Sequence, residues 1–158
     1  MDKTVEKLYG NRVRAKVCGL CWKGDKLLLV NHRGLYDHDF WAVPGGGIEF
    51  GQTAQENLER EYREETGLMV KVDAFQFVCE YISGPLHAIE LFFAVTVIDG
   101  KLLTGEDPEM SGNEQIITDV RFLSVTEINE LPEINKHGLF RFAKSAEKIS
   151  GLKGYLKI

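Results

Sequence analysis

The sequence lacks any apolar stretch long enough to span a membrane, and its N-terminal run, MDKTVEKLYG, has no apolar core of secretory-signal length. The expectation is a cytoplasmic protein with no membrane partner. Cysteine is scarce: Cys18, Cys21 and Cys79 include one C-x-x-C pair and leave no second pair to match it. That pair falls in a run that reads as strand, where residues three apart point to opposite faces, so a shared zinc ion is disfavoured and reduced, buried thiols are expected. Positive charge is in deficit as well, with 19 Lys and Arg against 24 Asp and Glu and a formal net charge of -5. Nucleic-acid binding through an overall positive field is thereby excluded, and any phosphate must be held locally. The 158 residues suit a single domain, 1–158, large enough for its own core.

What is present is strand alternation around one helical segment. Arg12 to Trp22 reads as a long first strand, Lys23-Gly24-Asp25-Lys26 as a turn, and Lys26 to Arg33 as the returning strand of a hairpin. His32 and Arg33 end that strand, where either could meet phosphate or simply face solvent. Gly34 to Phe40, GLYDHDF, has no clear period and is expected as a loop whose Tyr36 and Phe40 could stack on a base, while Trp41 packs under the following glycine turn. Further on, Val70 to Ile82 alternates as a strand, Ser83-Gly84-Pro85 breaks it, and His87 to Ile98 is the most apolar and most central strand. His87 and Glu90 at its start read as satisfied or edge polar groups. Asp99 to Asn113 mixes turn residues and acids and is expected as an irregular loop; Gln115 to Leu123 reads as strand, Ser124 to Glu127 as a capped helix start, and Leu139 to Lys148 as helix.

The segment Gly46 to Leu68, GGIEFGQTAQENLEREYREETGL, joins a glycine turn, a helix start and a cluster of carboxylates. Thr53 and Glu56 have capping-box spacing, and Gly67 stands where a left-handed cap ends a helix. At about 100° per residue, Glu61, Glu64 and Glu65 share one arc with Asn57 a turn earlier, beside an apolar flank of Ala54, Leu58 and Tyr62. Acids so crowded repel one another unless a cation lies between them, and oxygen-only ligands suit Mg²⁺ or Mn²⁺. A solvated acidic face, balanced by Arg60 and Arg63, explains the same residues without a metal.

This segment resembles the Nudix box, G-x5-E-x7-R-E-U-x-E-E-x-G-U with U a bulky apolar residue. Gly46 matches the first glycine, and Arg60, Glu61, Glu64, Glu65, Gly67 and Leu68 match the second half, with Tyr62 at the first U. Gln52 stands where the pattern has its first glutamate, which weakens a pairing with Arg60 but leaves a hydrogen-bond acceptor. The resemblance implies an α/β fold with a mixed sheet sandwiched between helices. It also implies a metal site at Glu61, Glu64, Glu65 and Gly46, glycines Gly46 and Gly47 shaping the substrate loop, and catalytic roles for Glu64, Glu61 and Arg60. A further acid recruited from outside the box, as metal ligand or general base, is expected at Glu114, with Glu106 and Glu109 behind it. Arg33, Tyr36 and Phe40 are the remaining candidate substrate contacts.

The activity implied is Mg²⁺- or Mn²⁺-dependent hydrolysis of a nucleoside diphosphate linked to a further group. A proline about sixteen residues past the box occurs in some ADP-ribose pyrophosphatases, and Pro85 lies near that distance, although Gly84-Pro85 is also an ordinary hairpin turn. ADP-ribose or another sugar nucleotide is the first substrate expected. A nucleoside triphosphate is the alternative within the class, and a nucleotide-sensing or interaction module with weakened turnover is the alternative outside it, resting on Gln52. Dimers are frequent in the family; a homodimer here would use core surfaces or the tail.

Overall fold

The computed structural model describes residues 3–33, 36–103, 117 and 119–158. A short helix, α1 (Lys3–Tyr9), leads into β1 (Arg12–Leu20), β2 (Trp22–Lys23) and β3 (Lys26–Asn31). The long strand expected over Arg12 to Trp22 is therefore divided at Cys21, and the reason is that its two parts serve different sheets. The short strands β4 (Trp41–Ala42) and β5 (Gly45–Gly47) precede the main helix, α2 (Ala54–Thr66). Then come the longest strands, β6 (Leu68–Ser83) and β7 (Leu86–Gly100), followed by β8 (Asp119–Ser124), α3 (Val125–Glu130), α4 (Ala146–Ser150) and β9 (Gly154–Lys157).

The main sheet is mixed, in the order β5-β1-β7-β6-β9, with β1 parallel to β7 and β6 parallel to β9. The strand expected to be central, β7, is the middle one. In the second sheet β3 pairs with β8 along one edge and with β2 and β4 along the other. The β6–β7 turn holds Gly84 at φ 55°, and the Pro85 carbonyl accepts from the Asn11 N–H at 2.8 Å, so Gly84-Pro85 serves as the hairpin turn.

Alternation along the strands sorts the core into two clusters. Cys18 and Leu20 of β1 join Phe77, Phe92, Leu27, Leu29, Leu139 and Phe140, while Val17 and Cys21 join Leu28, Val30, Leu58, Tyr62 and Val72. Cys18 and Cys21 thus lie in different clusters, all three thiols are free and buried, and burial raises their pKa values, to about 11 for Cys21 and about 12 for Cys79. Residues over Leu139 to Lys148 form a 3₁₀ turn at Gly138–Arg141 and then α4, not the single helix expected. The Ser145 side chain accepts from the Lys148 N–H and starts a new helix there, and this local bond competes with continuation from the preceding turn.

The main helix packs on β1 through Tyr62. Its ring lies where a Cβ at Gly19 would come within 2.5 Å, and its hydroxyl donates to the Gly19 carbonyl at 2.7 Å with no solvent exposure. Tyr62→Phe removes that donor and strands a buried carbonyl. We expect a loss of about 1–2 kcal/mol of stability, read as a lower urea midpoint at unchanged slope; an unchanged midpoint would show that the bond contributes nothing.

Candidate active site

Backbone geometry brings the glycine segment to the helix. β5 pairs antiparallel with β1, placing Gly46 opposite Val17 and Gly45 opposite Cys18. A Cβ on Gly45 would collide with the Val17 carbonyl, so that position requires a bare backbone, while one on Gly46 would meet the Glu61 carboxylate and push it aside. Past β5, the chain turns through Gly51 at φ 88° and enters α2 through the expected capping box: Thr53 caps Glu56 N–H, and the Glu56 carboxylate accepts from Thr53 N–H at 2.9 Å. Gly67 ends the helix in the left-handed region at φ 76°.

Asn57 ties this loop to the helix from beneath. Fully buried, it accepts from Glu49 N–H through Oδ1 and donates to the Gly47 carbonyl through Nδ2, both at 3.0 Å. A single asparagine thereby fixes both ends of a short loop, a role that its place on the helical arc alone does not disclose.

Arg60 is the cation of the site. Its guanidinium lies 3.4 Å from Glu49, 3.2 Å from Glu61 and 3.0 Å from Glu64, and it donates to Asn57 at 3.0 Å and to Gln52 Oε1 at 3.3 Å. Gln52 therefore keeps the acceptor function that the box assigns to a glutamate, without the charge.

The three box glutamates divide in two. The Glu61 side chain is 16% exposed and turned toward Gly46, and Glu65 accepts from the Gly45 N–H at 3.0 Å. Glu64 is 53% exposed and turned to Arg60. Burial raises the pKa of Glu61, with Glu64 adding to the shift; burial and the neighbouring Glu61 raise that of Glu65 well above the carboxylate range. Two inward carboxylates that burial biases against ionisation, beside a glycine edge, form an oxygen-only donor set that fits a hard divalent cation. Among the described residues no three His, Cys, Asp or Glu side chains enclose a metal by themselves; Glu64 is held by Arg60, whose guanidinium also reaches Glu61.

The other expected residues are placed as follows. Tyr36 and Phe40 meet with ring centroids 4.9 Å apart, on a segment pinned by buried Asn31, which donates to Asp39 at 3.0 Å and accepts from Phe40 N–H at 3.1 Å. Burial raises the Tyr36 pKa, while the nearby cations Lys16 and Arg14 oppose the shift. Arg33 is exposed and lies 3.8 Å from Asp39, so it stays on the surface of the loop. Burial, with nearby Lys16 and His137, lowers the pKa of His32 to about 3. Glu114, with Glu106 and Glu109, lies outside the described residues. Glu90 is buried and hydrogen-bonded, as expected of a satisfied polar group. Its partners Lys16 and His137 were not foreseen.

A family model described as the NUDIX domain matches residues 10–143. An ADP-ribose pyrophosphatase of Methanocaldococcus jannaschii is 37% identical over 95 residues, which cover 58% of this chain and 55% of that protein. The chain spans about half the length of the curated relatives it matches. A NUDIX hydrolase from Nitrosomonas europaea superposes with a TM-score of 0.67 at 20% identity, covering 89% of this chain and 88% of that one. A UDP-X diphosphatase superposes at 0.64 and 23% identity, covering 98% of this chain and 72% of the other; at such identities the likeness concerns the fold. No helix among the described residues is long and apolar enough to cross a membrane.

Proposed function

The chain belongs to the NUDIX domain family, and from that premise we propose that it is a pyrophosphohydrolase whose substrate is a nucleoside diphosphate joined to a further group, with ADP-ribose or another sugar nucleotide first. The observation that carries this reading is the convergence of Glu61 and Glu65 on the Gly45–Gly46 edge, where both carboxylates are pushed toward protonation unless a cation accompanies them. The description of the Methanocaldococcus jannaschii relative as an ADP-ribose pyrophosphatase supports the choice of substrate.

Glu61, Glu65 and Glu64, with the Gly46 backbone, would hold Mg²⁺ or Mn²⁺. The chemistry supplied there would be neutralisation of diphosphate charge and activation of water for attack on phosphorus. Arg60 restrains Glu61 and Glu64 and joins the helix to Gln52 and Glu49. Asn57 holds the loop against the helix so that substrate meets a formed site. Water oxygen bonds to one phosphorus, the bridging P–O bond breaks, and ADP-ribose yields AMP and ribose 5-phosphate.

The test is product release from ADP-ribose, sugar nucleotides, dinucleoside polyphosphates and nucleoside triphosphates, with Mg²⁺ or Mn²⁺ and with EDTA. Metal-dependent cleavage of ADP-ribose or a sugar nucleotide is expected. Cleavage confined to nucleoside triphosphates would replace the substrate class. Binding without any turnover would replace the enzyme with a sensing module.

A further inference from the structure

On the face of the main sheet that carries Cys18, a buried ionic group stands apart from the glutamate helix. Lys16 and Glu90 are directly paired in the parallel β1–β7 register and so share that face. Lys16 Nζ donates to Glu90 Oε1 at 2.9 Å, and His137 Nε2 lies 2.7 Å from Glu90 Oε2. The proton on His137 can be placed. Leu139 N–H donates to His137 Nδ1 at 3.2 Å, so Nδ1 carries a lone pair, and the proton of a neutral ring sits on Nε2, directed at Glu90. His137 N–H in turn donates to the Trp41 carbonyl at 2.9 Å, fixing the residue against β4. Both Glu90 oxygens are thus occupied, one by a ring nitrogen anchored in the core and one by an ammonium.

A buried ion pair is a poor source of stability, because desolvation offsets most of the attraction. Its geometry here does something else. The Glu90 side chain is 5% exposed and that of Lys16 is 27% exposed, so the pair presents its cation outward. Of the three ammonium hydrogens, Glu90 takes one, and no other acceptor among the described residues takes the remaining two. Burial works against the charge on Lys16, but Glu90 outweighs it and holds the ammonium protonated. Lys16 also pairs with Gly47 across β1–β5, beside the glycine edge. Its charge acts on Glu65 on one side and on the Tyr36 hydroxyl on the other. The ammonium is therefore carried on the strand that pairs with the glycine edge, partly open to solvent and within electrostatic reach of both Glu65 and Tyr36.

We propose that Lys16 is a substrate-binding residue that donates its two free N–H groups to the phosphate next to the nucleoside, and that Glu90 and His137 are positioning residues that hold it there. The inference rests on the nucleoside diphosphate reading of the site.

The experiment uses the full chain, calorimetric titration with AMP and with adenosine, and steady-state kinetics on the best substrate of the panel. Lys16→Met should weaken AMP binding by about 10- to 100-fold and raise KM similarly, leave adenosine affinity within about twofold, and change kcat much less than KM. Lys16→Arg, which keeps the donors, should recover most of the AMP affinity. Because Lys16→Met leaves Glu90 buried without its counter-ion, Lys16→Met/Glu90→Gln is made beside it; the glutamine oxygen still accepts from His137, so the double variant should fold and should still lose AMP selectively. Unchanged AMP affinity in a folded double variant overturns the proposal, as does an equal loss of AMP and adenosine, which would make Lys16 structural. Those outcomes leave parental turnover intact. If the parent itself cleaves no nucleoside diphosphate, the reading of the site fails and this inference fails with it.

Discussion

Glu64→Gln is expected to lower kcat by about three orders of magnitude while leaving the unfolding free energy within about 0.5 kcal/mol of the parent. The separation of the two effects follows from where Glu64 sits. Its side chain is half in solvent, and its partner is Arg60 at 3.0 Å, four residues earlier on the helix. Exposed pairs of this kind contribute a few tenths of a kcal/mol, and glutamine can still accept from the guanidinium. Arg60 also retains Glu61, Glu49, Asn57 and Gln52, so the helix and loop stay joined. A carboxylate with so little structural work, on the same helix as the two that converge on Gly46, is left for the reaction. Urea melts of the parent and variant, beside metal-dependent kcat on the best substrate, check both halves. A variant as fast as the parent would remove Glu64 from the chemistry; a slow variant that is also destabilised by 2 kcal/mol or more would make it structural.

What could be read from the sequence follows the range of the forces involved. The capping box at Thr53 and Glu56, the left-handed Gly67 and the second capping box at Ser124 and Glu127 each depend on residues within four positions, and all formed as expected. The β6–β7 hairpin, signalled by alternation around Ser83-Gly84-Pro85, is likewise local. Short strands were invisible because each exists only through its partner: β9 pairs with Phe77–Glu80 of β6, and β5 lies against β1. The apolar spacing of Leu139 to Lys148 is real, since Leu139, Phe140 and Ala143 are all buried, yet two short elements meet it as well as one helix would.

The candidate site shows the same division. Gly46, Arg60, Glu61 and Glu65 are gathered by one loop and one helix, so their spacing was informative. Lys16 with Glu90 and Glu90 with His137 are separated by 74 and 47 residues, and only the parallel register of β1 with β7 brings the first pair together. The one signal available was a lysine and a glutamate in strands otherwise becoming apolar. Neither strand alone identifies its partner.

Glu65→Gln carries the other large effect, and it runs in opposite directions with and without metal. Burial raises the Glu65 pKa well above its usual range, Glu61 raises it further, and the Gly45 N–H and Lys16 only partly oppose them. A carboxyl whose folded pKa exceeds its unfolded value of about 4.3 contributes most to stability below that value and loses the contribution as pH rises toward the folded pKa. At neutral pH the metal-free fold therefore carries the cost of ionising Glu65, or of keeping it protonated against the solvent. Glutamine removes that cost and can still accept from Gly45 N–H. Metal-free Glu65→Gln should melt above the metal-free parent at pH 7, and the gap should close near pH 4. With Mg²⁺ the order should reverse. A cation at 100 times its Kd stabilises the parent by about 2.7 kcal/mol, and the variant, lacking a ligand charge, should gain far less. Because the ligands must give up protons to bind, the parent's metal-induced shift should also shrink as pH falls, starting above the range of ordinary carboxylates. Thermal melts across pH with Mg²⁺ and with EDTA test all three statements. A metal-free variant that melts below the parent at pH 7 would show that Glu65 is a structural hydrogen-bond acceptor first. An undiminished Mg²⁺ shift would place the cation elsewhere.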